Sequence, residues 1–173
     1  MSISLYKAFV PSCLQILGSV HNLLEKAEAH CATSGVTEEA ILELKMFDDM
    51  FPFNVQVNQV YAHSLRAIES LNDGVFSPYL EAAPESFEGL KALVKKSISG
   101  LEELDETSLD EHVGHPMKFK FNDYELPFSA ENFLLSFSQP NFYFHAVTIY
   151  DLLRKEGVEI GKVDWMGAMR LAQ

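Results

Sequence analysis

Apolar residues recur three and four positions apart along most of this chain, and the places where that rhythm fails divide it into elements. Tyr6, Phe9, Val10, Cys13, Ile16, Leu17, Val20, Leu24, Ala27 and Cys31 make one stripe, which predicts a first helix from about Leu5 to Ala32. Pro11 is expected to kink this helix or to mark its first turn. Gly35 stands where a helix-terminating glycine would. Thr37, followed by Glu38 and Glu39, reads as an N-cap with an acidic first turn, opening a short helix to about Leu44. After the connection Met46–Pro52, a second long helix is predicted over Phe53–Leu71, with Val57, Tyr61, Ser64, Leu65, Ile68 and Leu71 facing inward.

The third helix is predicted over about Glu85–Leu104, after a long loop at Val75–Pro84. The rhythm then changes. Met117–Phe121 and Tyr124–Phe128 alternate apolar and polar residues around Asn122-Asp123, a two-residue hairpin signal. Pro127 confines the second of these strands to a sheet edge. A fourth long helix starts at Ser129 or Ala130, is bent by Pro140, and runs to about Glu156 before Gly157. The tail, Val158–Gln173, carries Trp165 and Met166 and is expected to pack on the helices or on a second subunit. Together these elements predict an all-α fold: a four-helix bundle with a small β-hairpin inserted before the last core helix, forming a single domain over residues 1–173.

Composition narrows the function. With 47% hydrophobic and 22% charged residues, the chain has a globular composition rather than a disordered one. Its formal charge of −12 opposes nucleic acid and anionic membranes as partners, since both are negative. Cys13 and Cys31 lie 18 residues apart on the first helix, a rise of about 27 Å, so they are expected to be separate, buried thiols. Such thiols suit a reducing compartment. The opening Met-Ser-Ile-Ser-Leu-Tyr-Lys lacks the basic start and apolar core of a secretory leader, and the expected location is cytoplasmic.

The candidate chemistry lies in the fourth helix. At about 100° per residue, Leu134, Ser138, Asn141, His145, Thr148, Ile149 and Leu152 share one sector. The apolar members mark it as the buried face, so Ser138, Asn141, His145 and Thr148 form a polar band inside it. Buried polar groups need partners. Two readings stay open: a structural network around a satisfied core histidine, or the lining of a pocket in which His145 serves as ligand, acid or base.

Asn141-Phe-Tyr-Phe-His145, with Ile149-Tyr-Asp-Leu-Leu-Arg-Lys-Glu-Gly157, resembles the last core helix of the DinB/YfiT-like superfamily. Ser4-Leu-Tyr, Met50-Phe-Pro and Gly161-Lys162 extend the likeness, most closely to an uncharacterised branch described only as a domain of unknown function. The resemblance implies a helical bundle, a dimer, and a divalent metal held by one histidine of the second helix and a His-x-x-x-His pair of the last. Several relatives are similar to metal-dependent thiol transferases or hydrolases. By position His145 matches the second histidine of the pair, and Asn141 stands in place of the first. On the second helix the counterpart falls within Gln56-Val-Asn-Gln59. Asn58 is the chosen residue because it shares a face with Asn54 and Tyr61, and His63 is read as lying off that face.

One imidazole and two carboxamides make a poor set for zinc or nickel. No cofactor is therefore expected, and the functional reading is a degenerate metal site binding a small molecule through Asn58, Ser138, Asn141, Thr148 and His145. The alternatives are a metal-dependent transferase or hydrolase, with a carboxylate from Asp48 or Asp49 completing the set and His145 catalytic, and a dimeric scaffold without catalysis. His112 and His115 suggest only a loose clip in a loop, and His21 and His30 flank the stripe of the first helix.

Overall fold

Helix formation begins at Ser4, whose side chain accepts from the Lys7 backbone N–H and caps α1, Leu5–Ser34. The helix passes through Pro11 without interruption and ends at Gly35, which takes a left-handed φ of 80° that a side chain would resist. Thr37 caps α2, Glu38–Leu42, through the Ala40 N–H. The computed structural model describes residues 3–172. Met1, Ser2 and Gln173, the last residue of the tail, lie outside the described residues.

The second long helix departs from the continuous element that periodicity predicts. It is split into α3, Phe53–Ala62, and α4, Leu65–Glu69. Ser64 sits at φ −113° and ψ −93°, outside helical values, and its hydroxyl donates to the Val60 carbonyl at 2.7 Å. A serine that bonds back onto its own helix competes with the backbone ladder, which gives the break a local cause. The third helix, α5, spans Phe87–Glu102 with Ser86 as its cap. Gly100 lets α4 approach closely, because a Cβ there would stand 2.7 Å from Leu65 Cδ2.

Around Pro140 the last long helix changes its winding. It comprises α6, Ala130–Asn132, a π-helical stretch at Phe133–Ser138, and α7, Gln139–Lys155. Proline has no N–H to offer the preceding turn, and a wider π turn accommodates that loss of register. A short α8, Lys162–Met166, follows Gly157 and packs on α1. The tail thus returns to the helices of its own chain. Lys26 pairs with Asp164 at 2.6 Å, and Gln15 donates to the Met166 carbonyl at 2.7 Å.

The predicted hairpin is present as β2, Pro116–Phe121, and β3, Tyr124–Ser129, with Asn122 at φ 53° in the turn. β1, Val75–Phe76, pairs in parallel with β2 and extends the sheet to three strands in the order β1-β2-β3. Two residues are too few to display an alternating pattern, so periodicity gave no sign of β1. Pro127 lies in β3, at the sheet edge.

The fold is therefore mostly helical with a small three-stranded sheet. α1 packs on α5 and α7, and α3 packs on the same two helices. Phe9, Leu17, Leu24, Phe53, Phe87 and Phe142 are among the side chains fully buried between them. No helix among the described residues is long and apolar enough to cross a membrane.

Candidate functional site

The α3–α7 contact carries the buried polar chemistry. His145, on α7, meets Gln56 of α3, its Nδ1 lying 2.7 Å from the amide Oε1. The Gln56 Nε2 donates to the Phe51 carbonyl at 2.9 Å, and this fixes which way the amide points. Oε1 can only accept, so the proton at that contact is on His145 Nδ1.

His63, which closes α3, repeats the arrangement with Ser138. The Ser138 hydroxyl donates to the His63 carbonyl at 3.2 Å, and its oxygen lies 3.3 Å from His63 Nδ1. With the hydroxyl hydrogen used, that oxygen accepts from Nδ1–H. Both imidazoles are thereby held with the lone pair on Nε2, and neither Nε2 has a hydrogen-bond partner among the described residues. The rings stack at 13° with centroids 5.9 Å apart.

Burial acts on both rings in the same direction. His63 is 6% and His145 7% exposed. Desolvation, with smaller repulsions from His145 and Arg66, lowers His63 to about 3. Desolvation alone lowers His145 to about 4. Removing an imidazolium from water is costly, so the pair is uncharged at neutral pH.

Aromatic side chains surround it. Phe51 stacks on His145 at 6.5 Å and 24°, and Phe144 meets its edge at 5.3 Å and 84°. Phe76 and Phe137 flank His63. Surface depressions of about 590 and 680 Å³ lie elsewhere. The first is lined by Glu38, Glu39, Glu43 and Glu85 among others, and neither borders His63 or His145.

The other residues of the polar band turn to their own helix. Asn141 Nδ2 donates to the Phe137 carbonyl at 2.7 Å, and Thr148 Oγ1 to the Phe144 carbonyl at 2.8 Å. Ser138 reaches across to His63. Asn58 is buried but faces away from His145, donating to the Glu81 carbonyl at 3.0 Å.

One expectation about the second helix is corrected: Gln56, not Asn58, meets His145. His63 does lie off the Asn58 face, and for that reason it falls beside His145. The reason is rotational. Gln56 and His63 are seven residues apart, about 20° short of two full turns, whereas Asn58 is about 200° away from Gln56. Choosing Asn58's face left His63 out of the site. The seven-residue spacing was the signal that could have found the pair.

For a divalent metal the donor set is two imidazoles. No group of three or more His, Cys, Asp and Glu suited to a metal occurs among the described residues. A catalytic zinc site uses three protein donors, so the side chains gathered here fall one short, although they include one imidazole more than the sequence suggested. Asp48 and Asp49 are exposed on the connection before α3. His112 and His115 meet edge to face at 6.2 Å at the turn Asp110–His112, again without a third donor. His21 and His30 are half-buried on α1.

A family model described as a domain of unknown function, DUF1993, matches residues 5–166. Among solved structures, the chain is similar to a DinB family member protein from Shewanella denitrificans. That likeness has a TM-score of 0.80 and 22% identity, covering 98% of this chain and 95% of the other. It shows a DinB-like fold. No curated protein matches.

Proposed function

The chain belongs to the DUF1993 family of unknown function, and from that premise we propose that it is a small-molecule binding protein. Its site is the His63–His145 pair, a degenerate form of a metal centre in a four-helix bundle. The observation that carries this reading is that Gln56 and Ser138 each occupy an Nδ1 while neither Nε2 has a hydrogen-bond partner among the described residues. The two rings are stacked and flanked by aromatic side chains. Neither Nε2 is among the buried unpartnered polar atoms of the described residues, so both are open to an incoming ligand rather than sealed in the core.

Acid–base catalysis is less well supported. A general acid must hold a proton at working pH, and a general base is most effective with a pKa near it. Imidazoles lowered to about 3 and about 4 meet neither condition. Zinc or nickel would find two good nitrogen donors and no third, so the metal-dependent transferase is the weaker reading.

Metal analysis of protein purified without chelator, combined with a thermal-shift screen of small fragments, tests the proposal. The expected result is substoichiometric metal, with fragment stabilisation that disappears in His63→Ala and His145→Ala. Stoichiometric zinc or nickel that is lost in His145→Ala would replace this reading with the metalloenzyme. Stabilisation that survives both variants would move the site elsewhere.

Two further assignments accompany the proposal. The free thiols of Cys13 and Cys31 fit a cytoplasmic setting. The exposed Val147 and Val163, near Trp165, favour a homodimer, which sedimentation as a monomer at micromolar concentration would exclude.

A further inference from the structure

The identity of the ligand can be narrowed from the atoms around His145, taking the pocket reading above as the premise. Phe51 and Phe144 are large apolar side chains left 51% and 55% exposed, and both lie against the His145 ring. They make an apolar collar around a buried side chain whose Nε2 has no partner among the described residues. His63 supplies a second acceptor 5.9 Å away, ring centre to ring centre. Neither ring presents an N–H at Nε2. An anion would therefore meet lone pairs and no donor.

A cation fares no better. The ion pairs among the described residues do not involve His63 or His145. The charged side chain acting on His63 is the positive Arg66, already held by the Ser77 carbonyl and the Phe76 and Tyr79 rings. Burying a full charge without a counter-charge is costly.

We propose that the site takes a flat, uncharged molecule bearing a hydrogen-bond donor, a phenolic O–H or an indole- or amide-type N–H. Its ring packs on Phe51 and Phe144 and its donor reaches Nε2 of His145. The Gln56 amide is the specificity-determining group, because by accepting from Nδ1–H it makes Nε2 an acceptor. The low pKa values of both rings keep that polarity at neutral pH.

Phenol, anisole and benzoate separate the possibilities, titrated into ¹⁵N-labelled full-length protein while the His145 Nε2 resonance is followed. Phenol should give a saturable shift. Anisole, which has the ring and no donor, should bind about tenfold more weakly, the value of one hydrogen bond, and benzoate more weakly than phenol. Equal binding of anisole and phenol, tighter binding of benzoate, or no saturable shift with any of them would overturn the proposal. A wrong order among the three leaves the pocket reading standing, since that reading is decided by the histidine variants.

Gln56→Glu supplies a second test. A carboxylate at Nδ1 favours the imidazolium, which makes Nε2 a donor, so the preference should reverse to benzoate over phenol. A folded Gln56→Glu that still prefers phenol would refute the tautomer argument. If this variant does not fold, the wild-type comparison decides by itself.

Discussion

α3 carries carboxamides on two sides, and the sides are used differently. Toward α7, Gln56 holds the His145 ring and takes part in a short chain of bonds running from the Phe51 carbonyl to the imidazole. On the other side, Asn54 and Asn58 donate to the carbonyls of Pro84 and Glu81, with distances of 3.5 and 3.0 Å. Gln59 and Arg66 extend that second series to Tyr79 and Ser77. The second series fastens the segment from Ser77 to Pro84 along the helix. The same type of side chain therefore sets the state of an imidazole on one side and anchors a crossing segment on the other. What separates the roles is the partner, not the residue: a carbonyl only accepts, whereas an imidazole changes with what it is bonded to.

The largest effect expected from this contrast is on acid stability. Burial holds His63 and His145 at about 3 and about 4 in the folded chain, below the ordinary imidazole value of 6.5. Between those limits the unfolded chain binds protons that the folded chain refuses. Stability must therefore fall as pH drops below about 6.5, and the loss ends only near the folded values. Each histidine contributes about 1.4 kcal/mol per pH unit. Urea unfolding should lose about 3–4 kcal/mol between pH 7 and 5 from the pair, reduced by about half in His145→Phe. An equal pH dependence in that variant would mean that the ring is not held neutral.

Removing the holder of the imidazole should cost less. Gln56→Leu strands the buried Nδ1–H of His145 and takes a donor from the Phe51 carbonyl, a penalty of about 2 kcal/mol. It should also release the tautomer, visible as ¹⁵N shifts of both ring nitrogens. A cost below about 0.5 kcal/mol, within the range of an ordinary surface change, would show that the amide does not organise the ring.

The smallest effects belong to the other side. Asn58→Ala gives up one bond and should cost about 1 kcal/mol, and Asn54→Ala, whose bond is at the distance limit, about 0.5 kcal/mol. Neither should move the His145 resonances, and protease cleavage between Ser77 and Pro84 should quicken. A His145 shift in Asn58→Ala would erase the division between the two sides.

Much of the molecule was written in local pattern. The stripe of α1, the Thr37 cap, the hairpin at Asn122-Asp123 and the stops at Gly35 and Gly157 depend on neighbours a few residues away. A period of 3.6 or 2, a cap or a positive φ is therefore enough to place them. The inward direction of His145 was legible for the same reason, since Leu134, Ile149 and Leu152 share its sector. The rotation of α3 was not. Every residue from Gln56 to Leu65 is buried, so no solvent-facing side breaks the symmetry, and polar residues occur on opposing sides.

Sequence by itself thus determined most of the helices, the hairpin, several element ends and one buried imidazole, because those follow from short-range geometry. The break at Ser64 and the two-residue β1 did not show in it. Tertiary structure decided which side of α3 faces α7. It thereby chose Gln56 over Asn58 and brought His63 beside His145. That choice depends on how two helices distant in the chain settle against each other, and no local period records it.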